Sequence, residues 1–194
     1  MIAPTGPQDR MRELARRGVR GFRISPPERD AASWLESPGI AAMWQAVGED
    51  GLAMCPLINP EALPAVGELC RRHPRTRVVI DHCARIGTSG EIRKPDLAAL
   101  CRLAEHPHLH VKVSAFYALG KKQAPYTDLA PMIRRLRDAL GAERLMWASD
   151  CPYQVQNGHT YAASIGLIRD RLDFLTSTDR EWLLRRTAEK VFFS

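Results

Sequence analysis

Two apolar runs in this chain stop abruptly on residues that can do chemistry. Leu145-Met-Trp-Ala148 passes through Ser149 into Asp150, with Cys151 and Pro152 behind it, and Val78-Val-Ile80 passes through Asp81 into His82. A carboxylate at the carboxyl end of a strand can take a proton from water or bind a metal. An imidazole beside it can polarise a carbonyl or ligate a divalent ion. Pro152 ends its strand because it lacks an N–H and fixes φ. In α/β folds the carboxyl ends of strands are where ligands bind and reactions occur. Asp150 and His82 are therefore the first candidates for catalysis, and also the pair that would hold a metal if one is bound.

A second set of residues could hold a substrate. Lys112 and Ser114 stand two apart in His110-Val-Lys-Val-Ser-Ala-Phe116 and so share a strand face. A lysine inside a parallel strand is costly unless paired or solvated. That points to a polar cavity and a substrate carboxylate or hydroxyl, with a structural ion pair as the alternative. Arg23 and Arg85, at or just beyond strand ends, suit bidentate capture of a carboxylate. Tyr117 and Tyr153 fall near the same mouth. By period two, Val78, Ile80 and His82 lie on one face, which would carry the imidazole into the cavity. His108-Leu-His110 spells a metal-binding pattern but follows Pro107 and opens its strand. Residues at that amino-terminal end serve stability. Cys83 and Cys151 adjoin the key residues and read as core or loop thiols.

The elements that must position these groups alternate between helix and strand. A helix is predicted over 7–17, a strand over 18–25 stopped by Pro26-Pro27, and a helix over 30–49 broken near Pro38-Gly39. Strands are predicted over 51–57, 77–82, 110–116 and 144–150, with helices over 60–72, 95–105 and 128–140 between them. Two helices, about 161–175 and 179–192, close the chain. Crossovers of this length call for a parallel sheet built of βαβ units in a single domain.

Bulk properties exclude several function classes. The 194 residues are 45% hydrophobic and 26% charged, with a formal net charge of +6. No apolar run approaches the ~20 residues of a membrane span, and no basic segment followed by an apolar core opens the chain, so neither a membrane nor a signal peptide is expected. The basic excess sits in doublets such as Arg71-Arg72 and Arg185-Arg186 within amphipathic helix patterns. That reads as solvated helix faces and not as a nucleic-acid surface. Five cysteines at 55, 70, 83, 101 and 151 form no CxxC, the usage of a cytoplasmic protein with reduced thiols.

Four segments and their order carry a family likeness: Gly18-Val-Arg-Gly-Phe-Arg23, Val78-Val-Ile-Asp-His-Cys-Ala-Arg85, Val111-Lys-Val-Ser-Ala-Phe-Tyr117 and Leu145-Met-Trp-Ala-Ser-Asp-Cys-Pro152. With Thr187-Ala-Glu-Lys-Val-Phe-Phe193, they resemble the amidohydrolase-related hydrolases, nearest to the group of sugar lactonases and 2-pyrone-4,6-dicarboxylate lactonase. The resemblance implies a TIM-barrel-type (β/α) fold of the metal-dependent hydrolase superfamily. A barrel has eight βα units in ~250 residues; five are legible here, so the chain is expected to be the carboxyl-terminal portion of one. The family's opening HxH strand is missing, and Cys55-Pro-Leu57 stands where some members carry a histidine.

The implied reaction is the opening of a lactone or related carboxylic ester. Asp150 would activate water and His82 would polarise the carbonyl, with Lys112, Ser114, Arg85, Arg23 and Tyr117 on the substrate. The cofactor is either a divalent metal such as zinc or none. A metal-dependent decarboxylase of the same superfamily and a non-catalytic remnant are the alternatives. The partner is a small carboxylate or sugar lactone, and five strands that cannot close a ring imply self-association through open edges.

Overall fold

Five short apolar runs form one parallel sheet whose strands lie side by side in chain order. The computed structural model describes residues 6–26 and 31–193. The strands are β1 (Gly21–Ile24), β2 (Ala53–Pro56), β3 (Arg77–Ile80), β4 (Leu109–Ser114) and β5 (Leu145–Ala148). Register is set by pairs such as Phe22 with Met54, Met54 with Val78, Ile80 with Val111 and Val113 with Trp147. α1 (Pro7–Arg16) precedes β1, and α2 (Pro38–Glu49), α3 (Leu63–Arg72), α4 (Lys94–Arg102) and α5 (Ala130–Leu140) are the four crossovers. α6 (Tyr161–Gly166), α7 (Ser177–Glu181) and α8 (Thr187–Phe192) follow β5, with π-helical turns after α6 and α7.

The helix boundaries follow local chemistry. Ser37 accepts a hydrogen bond from Ile40 N and Pro38 opens α2, so the predicted helical stretch divides into a 3-10 turn, Ala32–Glu36, and α2. Pro27, expected with Pro26 to stop the first strand, and Asp30, expected to open that helix, lie outside the described residues. Thr176 closes a capping box with Asp179 at the start of α7. Gly141, at φ +82, ends α5 in a conformation that side chains avoid.

One large core lies between the sheet and its helices. Phe22, Met54, Val78, Ile80, Val111, Val113 and Leu145 face it from the strands, and Trp44, Val66, Leu100, Ile133 and Leu136 from the helices. The opposite face of the sheet carries Ala53, Cys55, Val79 and Met146, packed against Val191, Ala188 and Phe192 of α8. The final helix thus folds back across the second face of the unclosed sheet. Arg77 donates to Val191 O there, and a Cβ on Gly21 would come within 3.3 Å of the Phe192 ring. β1 and β5 are the two edges of the sheet. The basic doublets lie on helix faces and are largely paired, as in Arg71 and Arg72 on Glu68 and Arg185 and Arg186 on Glu181. No helix among the described residues is long and apolar enough to cross a membrane.

Candidate active site

β3 ends at Ile80, and the chain then does something the apolar pattern cannot announce. His82, Cys83, Ala84 and Arg85 have φ of 54°, 50°, 52° and 56°, a left-handed turn of four residues without a glycine. Each such residue costs about 1–2 kcal/mol relative to the right-handed form. Strain of this size persists only where the surroundings over-determine it, and it clusters at functional sites. Here Cys83 and Ala84 are fully buried, and His82 is tied to β4 by a 2.8 Å contact from Nδ1 to Ser114 Oγ.

The turn corrects the expected route of His82 into the site. Val78 and Ile80 face the helix-side core, so strand alternation would have sent position 82 there as well. The left-handed turn swings the imidazole to the opposite side and places His82 and Arg85 on the same cleft. Asp150 reaches that cleft in a similar way. β5 ends at Ala148, and Asp150 itself has φ 52°.

The cleft holds about 370 Å³ and is lined by Arg23, His82, Arg85, Tyr117, Asp150 and Tyr153, with Leu57, Ala115 and Leu119 as apolar walls. His82 Nε2 lies 3.5 Å from Asp150 Oδ1. The Tyr117 hydroxyl donates to Asp150 Oδ2 at 2.7 Å. The His82 pKa is pushed below its ordinary value by burial, partly offset by the charges of Asp150 and Asp81. Its neutral form is thus favoured, and the tautomer with its proton on Nε2 avoids turning a lone pair toward Asp150. Ser114 O–H then donates to Nδ1. The Tyr117 phenol is pushed up by burial and then by its bond to Asp150, so it stays a protonated donor.

Not every residue read as substrate-binding reaches the cleft. Ser114 is fully buried, and its hydroxyl is engaged by His82. Lys112 Nζ pairs with Asp81 Oδ1 at 2.9 Å and lies 5.8 Å from the centre of the Phe192 ring, which is the structural ion pair left open above. Arg23 and Arg85 do line the cleft; Arg85 makes only a long 3.5 Å bond to Asn59 Oδ1, leaving most of its donors for a ligand. Cys83, fully buried, has its thiol pushed up to about 12 by burial, too high for a nucleophile.

Four residues around the site, Asp81, Tyr126, Gln154 and His159, carry no site signal in the sequence reading above. Asp81 has no solvent exposure and lies between Arg23 and Lys112. Gln154, also fully buried, donates to the Tyr126 hydroxyl, which contacts His159 Nδ1 at 2.8 Å. His159 in turn packs 6.0 Å from the Tyr117 ring. Asp81 was visible inside an apolar run as an acid that burial would force to find a cation; nothing in the spacing of 126, 154 and 159 joins them.

The loops are clasped at one point. Gly120 N donates to Gly87 O at 2.9 Å, joining the segment after His82 to the segment after Tyr117. A larger groove of about 680 Å³ runs between α3 and α4 past Gly67 and Leu103. Its acids are already paired, Glu68 with Arg71 and Arg72 and the exposed Glu105 with His106.

Among the described residues, no group of three or more His, Cys, Asp and Glu side chains could hold a metal ion. His82 and Asp150 supply two donors, fewer than the three protein ligands of a catalytic zinc site, so the donor set present does not fit a resident metal. His108 and His110 lie at the other end of β4, in a cavity with Arg77 and Glu143. They are separate from the cleft, as their position at the strand's start implied.

His110 is buried there, and its pKa falls from 6.5 to about 4 through loss of solvation. Unfolded chains therefore bind a proton in this window that folded chains do not, and stability falls as pH drops through it. The loss is about 3 kcal/mol between pH 6.5 and 4. Urea midpoints measured at pH 7 and 4.5 should differ strongly for the wild type and less for His110→Gln. Equal losses in both would assign the effect to another group.

Residues 2–193 match the amidohydrolase family. The chain belongs to that family. It is 34% identical over 141 residues to an L-fucono-1,5-lactonase of Burkholderia ambifaria, covering 70% of this chain and 48% of that one. It is 26% identical over 143 residues to a 4-sulfomuconolactone hydrolase of Rhizobium radiobacter, with coverage of 74% and 47%. The solved structure of a Pseudomonas putida protein assigned as a 2-pyrone-4,6-dicarboxylic acid hydrolase superposes with a TM-score of 0.81 at 26% identity, covering 99% of this chain and 70% of that one. This amidohydrolase chain thus shares the TIM-barrel-type fold of its relatives and spans about half the length of the curated relatives it matches.

Proposed function

We propose that residues 1–194 act as one amidohydrolase-related domain that opens a lactone by attack of water. The observation that carries the reading is the facing of His82 Nε2 and Asp150 Oδ1, 3.5 Å apart, in a cleft that also holds Arg85. Asp150 removes a proton from water as its oxygen attacks the lactone carbonyl carbon. The neutral His82, presenting Nε2–H, stabilises the charge that develops on the carbonyl oxygen. When the ring C–O bond breaks, the proton held by Asp150 passes to the departing alkoxide. Tyr117 holds one oxygen of Asp150 in place, and Arg85 and Arg23 take a carboxylate, sulfonate or hydroxyl arm of the substrate. Ser114 acts through His82 and does not touch substrate. The naming of the relatives as lactone hydrolases supports the reaction class, and the edges of β1 and β5 are the surfaces through which self-association is proposed.

The test is acid release from L-fucono-1,5-lactone and from 4-sulfomuconolactone, followed by pH-stat titration. Release well above the uncatalysed rate from at least one is expected, and its absence from both would remove the reading. His82→Gln should lower kcat by about 10²–10³, the usual cost of one donor to a developing oxyanion. An unchanged kcat in that variant would take His82 out of the mechanism.

A further inference from the structure

Among the described residues, the acid preceding His82 is the one fully buried carboxylate that the proposed mechanism leaves unused. Asp81 Oδ2 lies 2.8 Å from Arg23 Nε on β1, and Oδ1 lies 2.9 Å from Lys112 Nζ on β4. Neither contact is aligned as a hydrogen bond, so both are close ion pairs. A buried carboxylate without a cation would be very costly. Two cations around one carboxylate leave one positive charge in surplus. Lys112 is mostly buried, whereas the Arg23 side chain is 51% exposed and lines the cleft. The surplus therefore emerges at Arg23. With its Nε turned to Asp81, that guanidinium keeps both terminal nitrogens for something else, and a guanidinium edge matches the two oxygens of a carboxylate or sulfonate.

We infer that Asp81 is a positioning residue, whose buried carboxylate fixes Arg23 so that its outer edge forms a preorganised seat for an anionic group on the lactone. The inference rests on the proposed lactone hydrolysis for its substrate. The geometry it asserts within the protein can be tested without it. Lys112 serves the same arrangement by neutralising the second oxygen, and so frees Arg23 from doing it alone.

The experiment compares wild type, Asp81→Asn and the double variant Asp81→Asn, Lys112→Met, in which the lysine left unpaired is removed. Steady-state kinetics are measured on anionic 4-sulfomuconolactone and on neutral L-fucono-1,5-lactone. KM for the anionic lactone should rise at least about tenfold and kcat should change less than about threefold, as expected when a bound group loses its orientation. KM for the neutral lactone should stay level. Equal changes on both substrates, or none, would overturn the inference.

In parallel, the Arg23 Nε–H resonance, assigned by its loss in Arg23→Lys, is followed by nitrogen-edited NMR. Wild type should show it shifted and slowly exchanging, and both Asp81 variants should lose that protection. A fast-exchanging Arg23 Nε–H in wild type overturns the inference even where the variants do not fold. If wild type hydrolyses neither lactone, the reaction reading fails, and the NMR arm still decides whether Asp81 holds Arg23.

Discussion

Asp150→Asn is expected to lower kcat by a factor of about 10²–10⁴, the range general-base catalysis supplies, while leaving the fold intact. The substitution keeps shape and size. An amide oxygen can still accept from the Tyr117 hydroxyl, which now reaches Asp150 Oδ2 at 2.7 Å. What disappears is the basic lone pair directed at water. Because Asn is isosteric and keeps the Tyr117 contact, stability should change by no more than about 1 kcal/mol. Circular dichroism, a urea melt and pH-stat rates on the same preparation separate the two quantities. An Asn variant that turns over near the wild-type rate would remove Asp150 from the mechanism.

The second large effect is expected at a glycine. Gly120 has φ +57°, and a Cβ built on it would sit 2.3 Å from Asp128 Oδ2 and 2.7 Å from Leu129 Cδ2. Neither neighbour yields easily. Asp128 Oδ2 accepts from Lys121 N at 2.8 Å, and Leu129 is fully buried in the core. Gly120→Ala therefore combines a left-handed residue bearing a side chain with overpacking, together about 2–4 kcal/mol. It also pushes on the Gly120–Gly87 bond that clasps the two loops beside the cleft, so kcat/KM should fall with stability. Gly18→Ala is the control: its φ is +99°, but a Cβ there meets nothing within 4 Å. Similar losses in both variants would mean that backbone strain alone, and not the crowding at Gly120, sets the effect.

What the chain revealed of itself depended on the kind of signal. Apolar runs and punctuating prolines and glycines located all five strands and the crossover helices, because burial on both faces of a parallel strand leaves a continuous apolar record. Asp150, His82, Arg85, Arg23 and Tyr117 were legible as members of one mouth, since each follows or ends such a run. The way His82 arrives was not. Four successive left-handed residues, none of them glycine, have no compositional signature, and strand alternation pointed the imidazole to the wrong side. Lys112 and Ser114 were placed on the correct strand face, but their partners, Asp81 and His82, come from another strand's end. Sequence spacing does not encode such pairings. The cover that α8 gives the inner face is not legible for a related reason: Val191 and Phe192 show an apolar helix face without naming the surface it meets.

The strand order also bears on how the chain comes together and comes apart. Every strand pairs only with its neighbours in sequence, so each new βα unit docks on the one just made and no pairing spans the whole chain. Pairings of modest sequence separation close cheaply and form early. β3 sits at the centre, flanked on both sides, whereas among the described residues β1 and β5 each pair with one strand only. Local opening is expected to work inward from the two ends, so amide protons of Val78–Ile80 should outlast those of Phe22 and Met146 in exchange with solvent. His82 and Arg85 are attached directly to the slowest-opening strand. Arg23 is on β1 and Asp150 follows β5, so the cleft should be lost by fraying before the centre of the sheet gives way.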